Sequence, residues 1–556
     1  MTYDRSSVRP ARSQPAPLTL LTLGALLLAC TPPLALVPAD GFFERHEITL
    51  DGDQDRTVVP GFFLGGDTAE VAVVHIDSEG ARHLTLIALA GDGWATSVQT
   101  TLRPDVLFVD VASIGGRDRL LTYAPGRLDL FDPDTASERP LVTVDMAYSL
   151  SREADTGFDT PPGSLVRQVD LSHDLNGDGR DDLVFPGLDG FRIAVQQDDG
   201  SFEAPVLLGT PEPFADETPG WGERTWGEIG VVAPTVPAYL SRMHRMDEDL
   251  DGRIDLAFWD GEAFAVHHQD EDGGFDPVAS TFDTKIAFDA DGVYALMFGF
   301  PEDDGMAALM FGIGPKTERT ILAAILDVDG DGLADLVTET VSGRSRTKMG
   351  ATYAVHLGEA TRRGLRFSTE PALEVEPHGR AAGMQPWGYS SHLIEDLDGD
   401  GRPELLRRDV TMTMGGMIRA AAGGAIGLDV EVFRLATGRE PDEPASRREV
   451  RPETHYFSDK GLVHFPGILL GDVTGDGRQE LLVGYGPEEL HVYIGLPGDD
   501  LWTRQPVRLA VTQPTDERSA RLFDVNGDGK QDLLIHHTPS DRDPDTPQRL
   551  VVHLTR

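Results

Sequence analysis

The chain has 556 residues, with 93 acidic against 48 basic side chains, a formal net charge of −45 and a single cysteine. That balance argues against nucleic-acid binding, which wants a basic stripe, and one cysteine leaves no intramolecular disulfide to brace the fold. The length accommodates several ordinary domains or one long repeat array, so the internal pattern has to decide.

From the amino terminus, residues 1–17 are net positive, Leu18 to Leu28 form an apolar run and Ala29 is small. This is the layout of a secretory signal, and the run is too short to span a bilayer. The sole cysteine, Cys30, follows at once, and Leu27-Leu28-Ala29-Cys30 resembles the lipobox of bacterial lipoproteins. The resemblance implies cleavage before Cys30, a lipid on that residue and, with Thr31 rather than Asp next, delivery to the outer membrane or cell surface. Cleavage after Ala39 is the alternative for an ordinary signal. Residues 30–43, Pro-rich from Thr31 on, read as a tether, with the folded domain spanning 44–556.

From there short β-patterned runs alternate with Gly/Asp turns, and long helical periodicity is scarce. A ten-residue pattern, clearest as Asp327-Val328-Asp329-Gly330-Asp331-Gly332-Leu333-Ala334-Asp335-Leu336, starts also at Asp174, Asp247, Asp396, Asp472 and Asp524. After each loop comes a brief apolar strand such as Leu183-Val184-Phe185, then a second such as Phe264-Ala265-Val266-His267 or Leu550-Val551-Val552-His553. A Gly/Asp turn leads to a third run, and a fourth precedes the next loop, for example Leu165 to Val169 before Asp174. Four strands per unit, with loops starting 52 to 80 residues apart, predict an all-β propeller of four-stranded antiparallel blades. Two earlier units, at Gly65–Glu70 and at Asp110 (with Ala112 and Ile114 at the third and fifth positions), keep the strands without the full set of ligands and count as metal-free blades one and two, for eight in all. Seven is the alternative if the first is only an extension. The last unit is one strand short, and the run His46 to Leu50 fits as its missing strand, sealing the ring and removing its open edge.

Oxygen-bearing side chains at positions one, three, five and nine of such a loop can converge on one hard cation, and this spacing suits Ca²⁺. The candidate ligands are Asp174, Asn176, Asp178 and Asp182; Asp247, Asp249, Asp251 and Asp255; Asp327, Asp329, Asp331 and Asp335; Asp396, Asp398, Asp400 and Glu404; Asp472, Thr474, Asp476 and Glu480; and Asp524, Asn526, Asp528 and Asp532. Thr474 offers only a neutral hydroxyl and predicts a weaker site. An EF-hand is excluded by the absence of an acid at position twelve, where Phe185 and Phe258 stand. The pattern resembles the FG-GAP or VCBS repeats of integrin-α-like β-propellers across residues 45–556. In that family the loop joins the first two strands of a blade and the carbonyl of position seven adds a ligand. By resemblance these carbonyls belong to Arg180, Arg253, Leu333, Arg402, Arg478 and Lys530. The expected calcium, up to six ions, is structural rather than chemical.

Insertions at residues 216–236 (with Trp221 and Trp226), at 284–319 and from Met412 to Gly427 are candidate rim loops. His267, His356 and His553 recur in equivalent strands, which marks them as architectural. The chain has no Gly-x-Ser-x-Gly elbow, His-Glu-x-x-His or phosphate-binding Gly-x-x-x-x-Gly-Lys segment. No catalytic residue is assigned. Two functions remain: a lipid-tethered, calcium-stiffened binding or adhesion module for a protein or glycan, which touches the membrane only through its lipid, or a polysaccharide-active enzyme, since some lyases resemble such an eight-bladed arrangement.

Overall fold

The computed structural model describes residues 37–50, 56–90, 93–147, 166–187, 189–210, 242–288, 290–291, 317–343, 349–376, 392–410, 427–435, 444–451, 467–498, 500–514, 519–538 and 548–556. Regular structure among them is β throughout, apart from one 3-10 turn at Ala39–Gly41. The strands form eight antiparallel blades and one small hairpin.

Blade 1 is Arg56–Gly61, Glu70–Ile76, Arg82–Ala90 and Gly93–Leu102, a complete four-stranded sheet, which removes the seven-blade alternative. Blade 2 runs from Phe108–Ser113 to Ser137–Val142, blade 3 from Ser172–His173 to Val206–Leu208, and blade 4 from His244–Met246 to Ser280–Phe282. Blade 5 holds Thr317–Leu326, Asp335–Gly343, Met349–His356 and Leu373–Val375, and blade 6 spans His392–Glu395 to Ser446–Val450. Blade 7 spans Ile468–Gly471 to Val507–Ala510. Blade 8 has Ala520–Phe523, Asp532–His537 and Arg549–Thr555 from the carboxyl end, completed by Phe43–Thr49 from the amino end. The expected closing strand is therefore present, paired from Phe43↔Thr555 to Thr49↔Arg549.

What binds blade to blade is alternation. Successive side chains of a strand leave opposite faces, and a sheet covered on both faces reads as a nearly continuous apolar run. In Asp532–His537, Leu533 and Ile535 pack toward blade 7 while Leu534 packs toward blade 1. Eight apolar clusters follow this rule, each filling the space between one blade and the next, and the cluster of Leu534, Val552, Val58 and Val71 joins blade 8 back to blade 1. First strands of neighbouring blades touch one another, as His244–Met246 touches Thr317–Leu326, which places them innermost. Arg521 of blade 8 donates to Gln168 Oε1 at 3.0 Å, reaching past blade 1, as only residues near the axis can.

Two sequence expectations need correction. The run around Arg167–Gln168 does not begin blade 3; it lies parallel to Phe108–Ser113 as a fifth strand of blade 2, and Ser172–His173 takes the place before the loop. A two-residue strand squeezed against an acidic loop has no apolar alternation to announce it. The tether is also shorter than expected, because Val37–Pro38 pairs parallel with Val507–Ala510 of blade 7. Ala39 and Phe43 are buried in the cluster between blades 7 and 8.

Candidate metal centres

All six acidic loops join the first and second strands of blades 3 to 8, and in each the first Asp accepts the N–H of the position-six glycine. The first Asp accepts backbone N–H groups from inside its own loop: Asp327 takes Gly330 N at 2.7 Å and Gly332 N at 2.9 Å, and Asp396 takes Gly399 N and Gly401 N at the same distances. Such a wrap needs left-handed backbone at positions four and six, where Gly330 and Gly332 have φ of 79° and 87°. The ninth residue is a buried brace. Asp335 accepts Val328 N at 2.8 Å and, across the hairpin, Gly358 N at 2.7 Å. Asp182, Asp255, Glu480 and Asp532 bridge the same two places, while Glu404 takes Leu397 N on one side and a guanidinium, that of Arg434, on the other. The seventh residue is held through its own N–H, which Asp331 accepts from Leu333 at 2.8 Å.

Carboxylate oxygens converge where the third position is Asp. Asp327, Asp329 and Asp335 bring oxygens within 4.8 Å of one another, as do Asp247, Asp249 and Asp251, and Asp396, Asp398 and Glu404. In the other three loops the third residue is neutral and is spent locally. Asn176 and Asn526 donate to Asp178 and Asp528 at 3.1 Å, and Thr474 Oγ1 donates to Glu480 at 3.2 Å. The ninth carboxyls bear the electrostatic cost. Burial, then the neighbouring carboxylates, push Asp182 up to about 7 and Asp335 and Asp532 up to about 6. Glu404 is raised to about 7 by burial and by Asp398. Hard oxygen donors whose mutual repulsion a divalent ion would relieve fit Ca²⁺.

Two residues at these sites are absent from the sequence reading. His268 sits opposite Asp255 across the hairpin, with Nδ1 3.2 Å from Asp255 and 4.0 Å from Asp249. Arg434 pairs directly with Glu404. Both lie far along the chain from their loop, and only the pairing register reveals them.

Blade 1 keeps a brace of its own without the acidic loop, and the equivalent carboxylate of blade 2 reaches across to blade 1 instead. Glu70 is buried and accepts Leu64 N at 2.8 Å, and Asp118 accepts Phe62 N at 2.9 Å. Asp110, buried and pushed up to about 8 by that burial, holds Leu171 N at 2.8 Å. The recurrent histidines are core residues: His267 accepts Gly209 N at 2.9 Å and its Nδ1 lies 2.7 Å from the Asp276 carbonyl, and burial lowers His267, His356 and His553 alike. Cys30, Trp221, Trp226, residues 292–316 and residues 412–426 lie outside the described residues.

Residues 472–535 match the family model described as an FG-GAP-like repeat. The match opens on the first Asp of the blade 7 loop and closes in the second strand of blade 8, one full loop-to-loop period. The chain is an eight-bladed β-propeller that carries an FG-GAP-like repeat at residues 472–535. No curated protein sequence matches it. Among solved structures it is similar to the biofilm matrix protein Bap1 of V. cholerae, at 11% identity, 92% coverage of this chain, 88% of that chain and a TM-score of 0.20. It is also similar to the WD40 domain of SCAP from fission yeast, at 8% identity, 81% and 95% coverage and a TM-score of 0.28. An apocarotenoid oxygenase variant of Synechocystis matches at 9% identity, 84% and 92% coverage and a TM-score of 0.28.

Proposed function

We propose that this FG-GAP propeller is an extracytoplasmic, lipid-anchored module, stiffened by calcium, that binds or adheres to a protein or glycan. The observation that carries the calcium part is the blade 5 loop. Asp327, Asp329 and Asp335 present converging oxygens, and Asp335 is held well above the usual carboxylate range by burial and by Asp329 and Asp331. With Asp331 and the Leu333 carbonyl these residues would hold the ion, whose role is to neutralise the loop and fix the hairpin. No bond is made or broken there. A rigid ring that presents loops at its rims is a binding architecture.

The amino-terminal strand supports anchoring at Cys30 over cleavage after Ala39. The later cut would strip Val37 and Pro38 from blade 7 and remove Ala39 from the core. An ion as a brace and a partner at the rim are tested together on a soluble fragment beginning at Thr31, which keeps that strand. Glycan-array and pull-down screens, each with calcium and with EDTA, are expected to recover a partner only in calcium. Turnover of a polysaccharide by the same fragment would replace this reading with the enzymatic one.

A further inference from the structure

The residue opposite the ninth position, registered directly in blade 6 and one step beyond the registered pairs in the other five, varies between blades. It is Val195 in blade 3, Leu357 in blade 5, Ile494 in blade 7 and Leu554 in blade 8, all aliphatic and packed among the core side chains. Blade 4 has His268 there, and blade 6 has Arg434.

Arg434 turns into the loop. Its guanidinium meets Asp398, lies 3.1 Å from Glu404 and 3.6 Å from Asp400, and donates to the Gly498 carbonyl of blade 7 at 2.9 Å. Its side chain is 17% exposed, against 6% for Asp398 and 2% for Glu404. Three of the four candidate ligand carboxylates of this loop are thereby paired with one fixed cation, and the fourth, Asp396, is occupied by Gly399 N and Gly401 N. Arginines elsewhere behave differently: Arg180, Arg253 and Arg478, at position seven, pair with the fifth-position Asp of their own loop, and their further contacts, Asp198 for Arg180 and the Gln269 carbonyl for Arg253, lie outside the ligand set. The same position in blade 6, Arg402, lies instead over Gly330 of blade 5.

We propose that Arg434 is the built-in cation of the blade 6 loop and keeps calcium out of it, so that the loop with one of the most complete acidic sequences is not a metal site. A divalent ion needs six to eight oxygens at about 2.3–2.6 Å. To gather them here it would have to expel a half-buried guanidinium and then sit beside it, and two like charges within a few ångströms repel strongly in a site shielded from water. Bidentate, charge-assisted pairing makes arginine the better of the two basic residues for such a substitution. The Gly498 bond ties the same side chain to blade 7, so the arginine also replaces the ion's mechanical role.

This rests on the reading that the other acidic loops take calcium, and the experiment separates the two. Bound calcium is counted by equilibrium dialysis, at free calcium well above the millimolar dissociation constants expected of such sites, in the full chain, in Arg434→Leu (the residue blades 5 and 8 use) and in Asp396→Asn. Arg434→Leu is expected to hold one more ion than the parent protein, and Asp396→Asn the same number as the parent. A parent protein that loses one ion on Asp396→Asn, or an Arg434→Leu protein with no additional ion, overturns the role of Arg434. No calcium in any of the three overturns the calcium reading itself. If Arg434→Leu does not fold, the Asp396→Asn count decides alone.

Discussion

At position four of its loop, blade 4 carries Leu250, with φ of 61°, where the five other loops have glycine. A left-handed conformation costs a residue with a Cβ about 1–2 kcal/mol. The compensation is visible across the ring. In blades 5, 6 and 7 the position-four glycine lies against the position-seven region of the next loop, Gly330 under Arg402, Gly399 against Gly477 and Arg478, and Gly475 against Lys530. Leu250 instead meets a loop whose seventh residue is Leu333, and the two share one apolar cluster. Leu250→Ala keeps the backbone strain and loses much of the contact, whereas Leu250→Gly loses the contact and relieves the strain. The glycine variant is therefore expected to melt at the higher temperature of the two, by roughly 1 kcal/mol in stability. The reverse order in a thermal melt would show that φ at this residue is not strained. The leucine is visible once the six loops are aligned, since the other five have glycine at this position. Its partner was not legible, because Leu333 reads simply as a missing arginine until the loops are set side by side.

At the scale of the strand, the pattern in the sequence was nearly sufficient. Phe264–His267 appears with the limits its apolar residues gave, and the Arg549–Thr555 run found its partner in the amino-terminal stretch as the missing-strand argument required. Very short strands escaped, since Ser172–His173 and Val37–Pro38 hold two residues each and owe their state to the neighbour they pair with. That dependence makes the amino-terminal segment a sensitive element. Phe43–Thr49 covers the open edge of Arg549–Thr555, and Phe43 is fully buried between blades 7 and 8. A chain beginning at Gln54 would expose that edge and an apolar seam together, and an unpaired edge is a template for association. Such a truncation is expected to elute from a sizing column as oligomer or aggregate. The same protein supplied with a synthetic peptide of residues 36–50 is expected to recover the monomer. A well-folded monomer without the peptide would mean that closure by the amino-terminal strand is dispensable.

For the whole molecule, the governing quantity is a net charge of −45, part of it in buried carboxyls at the ninth loop position of several blades and at Asp110 in the first strand of blade 2. The carboxyls of Asp110, Asp182, Asp335, Glu404 and Asp532 sit at about 8, 7, 6, 7 and 6, all above their ordinary values near 4. A carboxyl raised by folding binds a proton more readily in the native state than in the unfolded chain. Between the unfolded value and the folded one the native state thus holds more protons, and stability falls as pH rises through that window. His75 and His553, lowered to about 4 by burial, oppose this as pH falls below the ordinary histidine value, but the five carboxyls outweigh them, so without metal the protein is expected to melt higher at pH 5 than at pH 8. Calcium reverses the trend at the loops that take it, because its ligands must be deprotonated and the ion gains as protons leave. A site with a dissociation constant of about 10⁻³ M, at about 10 mM calcium, adds about 1.4 kcal/mol, and several such sites act together on one closed ring. The gap between melting midpoints in calcium and in EDTA is therefore expected to widen from pH 5 to pH 8. Blade 6 contributes nothing to the widening if Arg434 already neutralises it. An EDTA midpoint that climbs with pH would mean that the buried carboxyls are relieved by protein groups alone, and that the ring is held by its apolar seams without help from metal.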